Sequence, residues 1–145
     1  MKNILIPVTR GDDAHIRAAV AEAARAAALD PALHVHLLSV QPRVTSHVAM
    51  FFGRNELSEL HDKAGREDLA SAEALLGAAG IRHTSHVRVG RSAETIAACA
   101  RELQCGRVLF GDGHEAQRKM ALFGSLAGQV RHLLEGNAGY EVIGS

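Results

Sequence analysis

The alternation of short apolar runs with longer helix-forming runs is the feature that most constrains the fold of this chain. The first pair is the near-continuous apolar run 3–8 and the alanine-rich run 14–29. A short, continuous apolar run predicts a strand that is buried on both faces. A long alanine-rich run predicts a helix, because alanine has the highest helix propensity. The same alternation continues to the end of the chain.

Further strands are predicted at residues 34–40, 82–89, 107–110 and 139–143, and further helices at residues 56–79, 93–104 and 126–134. Gly80 is predicted to stop the second helix and Ser92 to cap the third. The polar–apolar alternation of 82–89 indicates a strand near a sheet edge. Helices of this length form right-handed crossovers between parallel strands. The sequence therefore predicts an α/β fold, an open and mostly parallel five-stranded sheet with helices on both faces.

Length and composition favour one domain spanning residues 1–145, with no linker or repeat. The 16 basic and 16 acidic residues balance, which argues against nucleic acid or an anionic membrane as a partner. The apolar run at the start is too short for a signal peptide, and a cytoplasmic location is expected. Cys99 and Cys105 fall in or near one predicted helix, so we expect free thiols and no disulfide.

A glycine-marked segment follows the fourth predicted strand. It runs from Phe110 through Gly111 and Gly113 to His114, and Gly124-Ser125 precedes the last predicted helix. A strand, a glycine loop and a helix N-terminus in this order can turn backbone N–H groups towards a phosphate. Ligands of open parallel sheets bind beyond the carboxyl ends of the strands, where the strand order reverses. We therefore expect a crevice between this segment and the end of the first strand, with Val40 within reach.

Four stretches carry a resemblance that covers nearly the whole chain: NILIPV, HVHLLSV, VRVGRSAETIAACARELQCGRVLFG and GSLAGQVRHLL. In these stretches the chain resembles the universal stress proteins. The resemblance implies a flavodoxin-like, or Rossmann-like, sheet of order 3-2-1-4-5. It also implies a non-catalytic binder of ATP or another adenine nucleotide, with or without Mg²⁺, and a homodimer.

The phosphate loop of the nucleotide-binding members reads G-x2-G-x9-G-[ST]. This chain has Gly111 and Gly124-Ser125 at that spacing, but His114 stands where the second glycine belongs. Thr9 stands where the family usually carries an aspartate that contacts the nucleoside. The nucleotide-binding residues that the resemblance implies are Pro7, Val8, Thr9, Val40, Phe110, Gly111, Gly113, His114, Gly124, Ser125 and Leu126.

Other interpretations of the same residues stay open. The glycines and Ser125 would also serve as a strand-end turn and a helix cap in any α/β protein. The chain could then be a dimeric interaction module without nucleotide, for which the segment 50–52 would provide an apolar surface. No catalytic residues are predicted, because Ser125 has no evident base, and slow ATP hydrolysis ranks last.

The nine histidines invite a metal hypothesis, but their spacing does not support one. His34 and His36 share a strand face, whereas no helical His-x3-His pair or Cys–His cluster occurs. We therefore predict no metal site and place the histidines at the surface or at a rim.

The last predicted strand has an apolar edge at residues 140–143. An apolar edge strand invites association with another chain, and pairing with a symmetry mate would cover it. The sequence therefore predicts a homodimer that forms through this strand.

Overall fold

The computed structural model describes residues 3–8, 13–43, 50–110, 126–135 and 139–143. Their strands are β1 (Asn3–Val8), β2 (His34–Gln41), β3 (His83–Val89), β4 (Cys105–Leu109) and β5 (Glu141–Ile143). Their helices are α1 (Asp13–Leu29), α2 (Arg54–Ala78), α3 (Ser92–Glu102) and α4 (Leu126–Leu134). The strands form one parallel sheet of order β3-β2-β1-β4-β5, which confirms the predicted fold class.

The strand alternation divides the core into two layers. Ile4 and Ile6 of β1 face α1 and α2, together with Leu37 of β2. Leu5 and Leu38 face the opposite way and pack with α3 and α4. Successive side chains of a strand point to opposite faces of the sheet, so a continuous apolar run fills both layers.

The strand order reverses between β1 and β4, and this reversal locates the crevice of the sheet. β1 pairs with β2 from Asn3 to Val8 and with β4 from Asn3 to Leu5. The chain leaves β1 on the α1 side and returns to β4 through α3 on the other face. The carboxyl ends of these strands therefore lie at the switch point at which open α/β sheets bind ligands.

Gly65 allows α2 to lie close to the sheet. A Cβ atom on this residue would stand 2.5 Å from Cγ2 of Val87 on β3. That distance is shorter than van der Waals contact, and the β-branched valine has little freedom to move away. The helix can approach β3 this closely only with glycine at position 65.

Both ends of α3 differ from the sequence prediction. Ser92 is the first helical residue and not the cap, because Arg91 takes the N-cap position without a side-chain bond. α3 ends at Glu102, and β4 begins at Cys105, two residues earlier than predicted. Gln104 takes a positive φ of 54°, which reverses the chain within two residues. A glutamine gives no sequence signal for such a turn.

Other local predictions are confirmed. Gly80 follows α2 with a φ of 69°, which fits its predicted role as a stop. β3 lies at the edge of the sheet and is half-exposed along its length. Cys99 and Cys105 are free and buried.

Within the described residues, no helix has both the length and the apolar character needed to cross a bilayer.

Candidate functional site

A cavity of about 310 Å³ opens at the carboxyl ends of β1 and β2. One wall is apolar and consists mainly of Pro7, Leu38, Val40, Ile96 and Leu126. The remaining wall includes α2 and carries polar groups, among them those of Gln41 and Asp68. Ligand pockets commonly combine an apolar lining with a few convergent polar groups in this way.

Four of the residues predicted from the sequence line this cavity together: Pro7, Val8, Val40 and Leu126. Phe110 does not line it. Phe110 packs against the core on the α3 and α4 side, and its N–H donates to the Ile143 carbonyl at 2.9 Å. The other predicted residues lie outside the described residues: Thr9, Gly111, Gly113, His114, Gly124 and Ser125.

The peptide groups of Val40 face the β1 side of β2. The N–H of Gly90 donates to the Gln41 carbonyl at 3.0 Å, and the N–H of Val35 donates to the Arg82 carbonyl at 2.9 Å. The odd-numbered residues of β2 therefore bond towards β3, and the even-numbered ones turn towards β1. Within the described residues the β1 pairing ends at Val8↔Ser39, and in a parallel ladder this pair engages the Val40 N–H with the Val8 carbonyl. The Val40 carbonyl faces the same side of β2, at the wall of the cavity.

A polar network joins β2 to α2 at the cavity. The Gln41 amide nitrogen donates to Asp68 Oδ2 at 3.0 Å and to Ser39 Oγ at 2.9 Å. Ser39 Oγ lies 3.5 Å from the same carboxylate oxygen. Within the described residues, every buried side-chain nitrogen and oxygen has a hydrogen-bond partner. The network is therefore satisfied, as buried polar groups must be if they are not to destabilise the fold.

Sequence reasoning missed this network. Asp68 stands in a helix without a recognisable motif, and its partner on β2 is distant in the chain. One signal was present, because Ser39 and Gln41 are polar residues two positions apart, in line with the apolar Val35 and Leu37 of the same strand. That spacing places both side chains on one face of the strand.

A second cavity, of about 680 Å³, lies on the other side of the α3 N-terminus. Arg43, Arg88 and Arg91 line it together with Glu94 and Glu102. Arg88 Nη1 forms an ion pair with Glu102 Oε2 at 3.0 Å. Of the predicted residues that the structure describes, none lines this cavity, and its charges largely offset each other.

Three histidines cluster on the neighbouring strands β2 and β3. His36 Nδ1 lies 3.0 Å from His86 Nε2, and the rings of His34 and His36 are 4.7 Å apart. Burial, followed by the charges of His34 and His86, lowers the pKa of His36 from 6.5 to about 4. Burial and the charge of Arg88 also lower the pKa of His86. Among the described residues, no group of three or more His, Cys, Asp or Glu side chains is placed to hold a metal ion.

Several solved structures have the same fold as this chain over nearly its whole length. A universal stress protein from Archaeoglobus fulgidus is 20% identical to this chain and superposes with a TM-score of 0.68. The match covers 99% of this chain and 98% of the A. fulgidus chain. The A. fulgidus protein in complex with dAMP is 19% identical with a TM-score of 0.66, at coverages of 99% and 97%. An Arabidopsis thaliana family protein with AMP bound is 10% identical with a TM-score of 0.62, at coverages of 99% and 90%.

A search of curated proteins finds no match. The sequence profile of the universal stress protein family, however, matches residues 1–135. The strand order agrees with this match. The chain belongs to the universal stress protein family.

Proposed function

We propose that this protein is a stress-response protein that binds an adenine nucleotide, ATP or a close relative, without turning it over. One observation carries the proposal. Pro7, Val8, Val40 and Leu126 come from three separate elements and meet around one cavity at the carboxyl ends of β1 and β2. Relatives of the same fold that are described in complex with dAMP and with AMP add support.

The cavity is suited to a purine base. Its volume of about 310 Å³ is within the range of small-molecule sites. Flat apolar contact is available from Pro7, Leu38 and Ile96. The Val40 carbonyl supplies an acceptor that complements the exocyclic amine of adenine.

The phosphates would lie towards α4. This helix begins at Leu126, which lines the cavity, so the positive end of its dipole is near the ligand. In this proposal the phosphates extend from there to the segment 111–125, with or without Mg²⁺.

Thermal unfolding with AMP, ADP or ATP, each with and without Mg²⁺, tests the proposal. A ligand present at about 100 times its Kd stabilises the folded protein by about 2.7 kcal/mol. The cavity-filling change Ala64→Leu should abolish the stabilisation, because Ala64 lines the cavity. Ala70→Leu at an exposed position of the same helix is the matched control. If none of the three nucleotides raises the melting temperature, adenine-nucleotide binding is excluded.

A second candidate function is a protein-interaction module that binds no nucleotide. Met50 is 83% exposed and Phe51 is 73% exposed, just before α2. Large apolar side chains this exposed often mark interaction surfaces. Binding of a partner by a protein that shows no nucleotide-dependent stabilisation would favour this alternative.

We also propose a cytoplasmic homodimer that pairs through residues 140–143. β4 covers one side of β5, and the Phe110 bond to Ile143 shows which peptide groups of β5 face β4. The N–H of Val142 therefore points away from β4, on the side where the Val142 carbonyl accepts a bond from Arg131 Nη2 at 3.2 Å. Val142→Pro removes this donor and should yield a monomer in sedimentation equilibrium. A wild-type protein that sediments as a monomer would contradict the proposal.

A further inference from the structure

β3 is a thinly covered strand of the sheet. It lies at the edge, next to β2, and each of its residues is at least partly exposed. β1, in contrast, lies at the centre and carries the fully buried Ile4, Leu5 and Ile6. Segments with few buried apolar contacts open at a lower free energy than the whole protein. The contacts between β2 and β3 therefore determine how firmly this edge is held.

Two pairs of polar side chains join β2 to β3. His36 Nδ1 lies 3.0 Å from His86 Nε2, and His34 Nε2 lies 2.7 Å from Thr84 Oγ1. Both distances are those of hydrogen bonds. A bond between two imidazole rings needs one ring nitrogen that carries a hydrogen and one that carries a lone pair. The His36–His86 bond therefore depends on the protonation state of both rings.

Protonation of this pair has a different effect at each step. With one extra proton, one ring still accepts, and the bond remains. When both rings are protonated, two N–H groups face each other at 3.0 Å, and repulsion between like charges replaces the bond. Burial lowers the pKa of both rings, to about 4 for His36, so the second step belongs to acid conditions.

The charges around the pair do not compensate for a second proton. His34 on β2 and Arg88 on β3 both act against protonation of the pair. Glu102 on α3 favours protonation of His86, but it also forms an ion pair with Arg88 at 3.0 Å. The negative charge of Glu102 is thus already balanced, and the second proton adds a charge that repels the first.

We infer that the His36–His86 contact is a pH-sensitive link that holds edge strand β3 to β2 at neutral pH and releases β3 in acid, before the rest of the sheet unfolds. In the released state both rings reach solvent and bind protons as free histidines do. Release of β3 leaves β2 as the open edge of the sheet.

Amide hydrogen exchange of the wild-type protein at about pH 7.5 and about pH 4.5 provides the first test. The bonds at Arg82 and Gly90 show that the even-numbered residues of β3 face β2. The amides that report on release are therefore those of Thr84, His86 and Arg88.

After correction for intrinsic exchange, protection of these amides should fall about 10-fold in acid, because one pKa unit is a factor of ten and solvent screens the larger shift of His36. The amides of β1 should be better protected at both pH values. Equal protection of β1 and β3 in acid would mean that β3 opens only with the whole sheet, and the inference would be overturned.

His36→Asn provides the second test, because the asparagine oxygen accepts a bond from His86 whether or not that ring is charged. The loss of β3 protection in acid should shrink to about 3-fold or less, since one titrating ring of the pair remains. His132→Asn, at an 82% exposed side chain of α4, should keep the full loss. A full loss in His36→Asn would refute the role of the contact. If His36→Asn does not fold, the wild-type comparison of β1 with β3 still decides.

Discussion

His36 should make the stability of this protein fall as the pH drops below neutrality. Its ring is half-buried between His34 and His86, and burial is the main reason why its pKa falls from 6.5 to about 4. The unfolded chain takes up a proton near pH 6.5, whereas the folded protein does so only near pH 4. Between these values the unfolded state binds more protons, so the free energy of unfolding decreases as the pH decreases. The loss begins at about pH 6.5 and levels off below about pH 4.

The expected loss in the free energy of unfolding follows from the same pKa. One pKa unit corresponds to about 1.4 kcal/mol, so the drop from 6.5 to about 4 sets an upper limit of about 3.4 kcal/mol. The ring is only partly buried, so solvent screens the unfavourable charge, and we expect roughly 1.5 kcal/mol. His86 adds to the effect in the same direction, because burial and Arg88 lower its pKa while Glu102 opposes them.

Urea unfolding at about pH 7.5 and about pH 4.5 measures the effect in the wild type and in His36→Asn. Asparagine places an amide near the position of Nδ1 and cannot titrate, so the variant should lose less stability on acidification, by roughly 1.5 kcal/mol. His132→Asn, at a side chain that is 82% exposed, controls for the loss of one histidine. The reasoning is refuted if wild type and His36→Asn lose the same stability between the two pH values.

Two further predictions concern substitutions that remove or introduce a glycine. Gly65→Ala should destabilise the protein by about 1–2 kcal/mol in urea unfolding, because the clash with Val87 outweighs the gain in helix propensity. Gly77→Ala in the same helix meets no atom within 4 Å and should stabilise by about 0.5–1 kcal/mol, so equal effects at both positions would contradict the packing argument. His114→Gly should tighten the proposed nucleotide binding in a calorimetric titration, since the family resemblance implies a glycine, with its permissive backbone, at this position of the phosphate loop. Weaker binding would show that His114 itself contacts the ligand.

The sequence predicts the sheet well because short apolar or alternating runs are separated by long helix-forming runs. The order β3-β2-β1-β4-β5 is implied by the family resemblance, and the structure confirms it. The predictions fail where a contact joins residues that are distant in the chain. His36 and His86 lie 50 residues apart, and Gln41 and Asp68 lie 27 apart. No periodicity encodes such pairs, so only the packed structure brings them together.

The packing of α2 against the sheet at Gly65 sets the position of Asp68 at the candidate site. Gly65 and Asp68 are three residues apart, so they lie on the same face of the helix. The close approach at Gly65 sets the height of α2 above β2 and β3, and this height determines whether Asp68 reaches Gln41 at 3.0 Å. A side chain at position 65 that lifts the helix should therefore lengthen the Asp68–Gln41 bond as well as strain the core. Affinity for the proposed nucleotide in Gly65→Ala should thus decline together with stability, because α2 forms part of the cavity wall. In Gly77→Ala, at a position where an added methyl group meets no atom within 4 Å, stability should change and affinity should not.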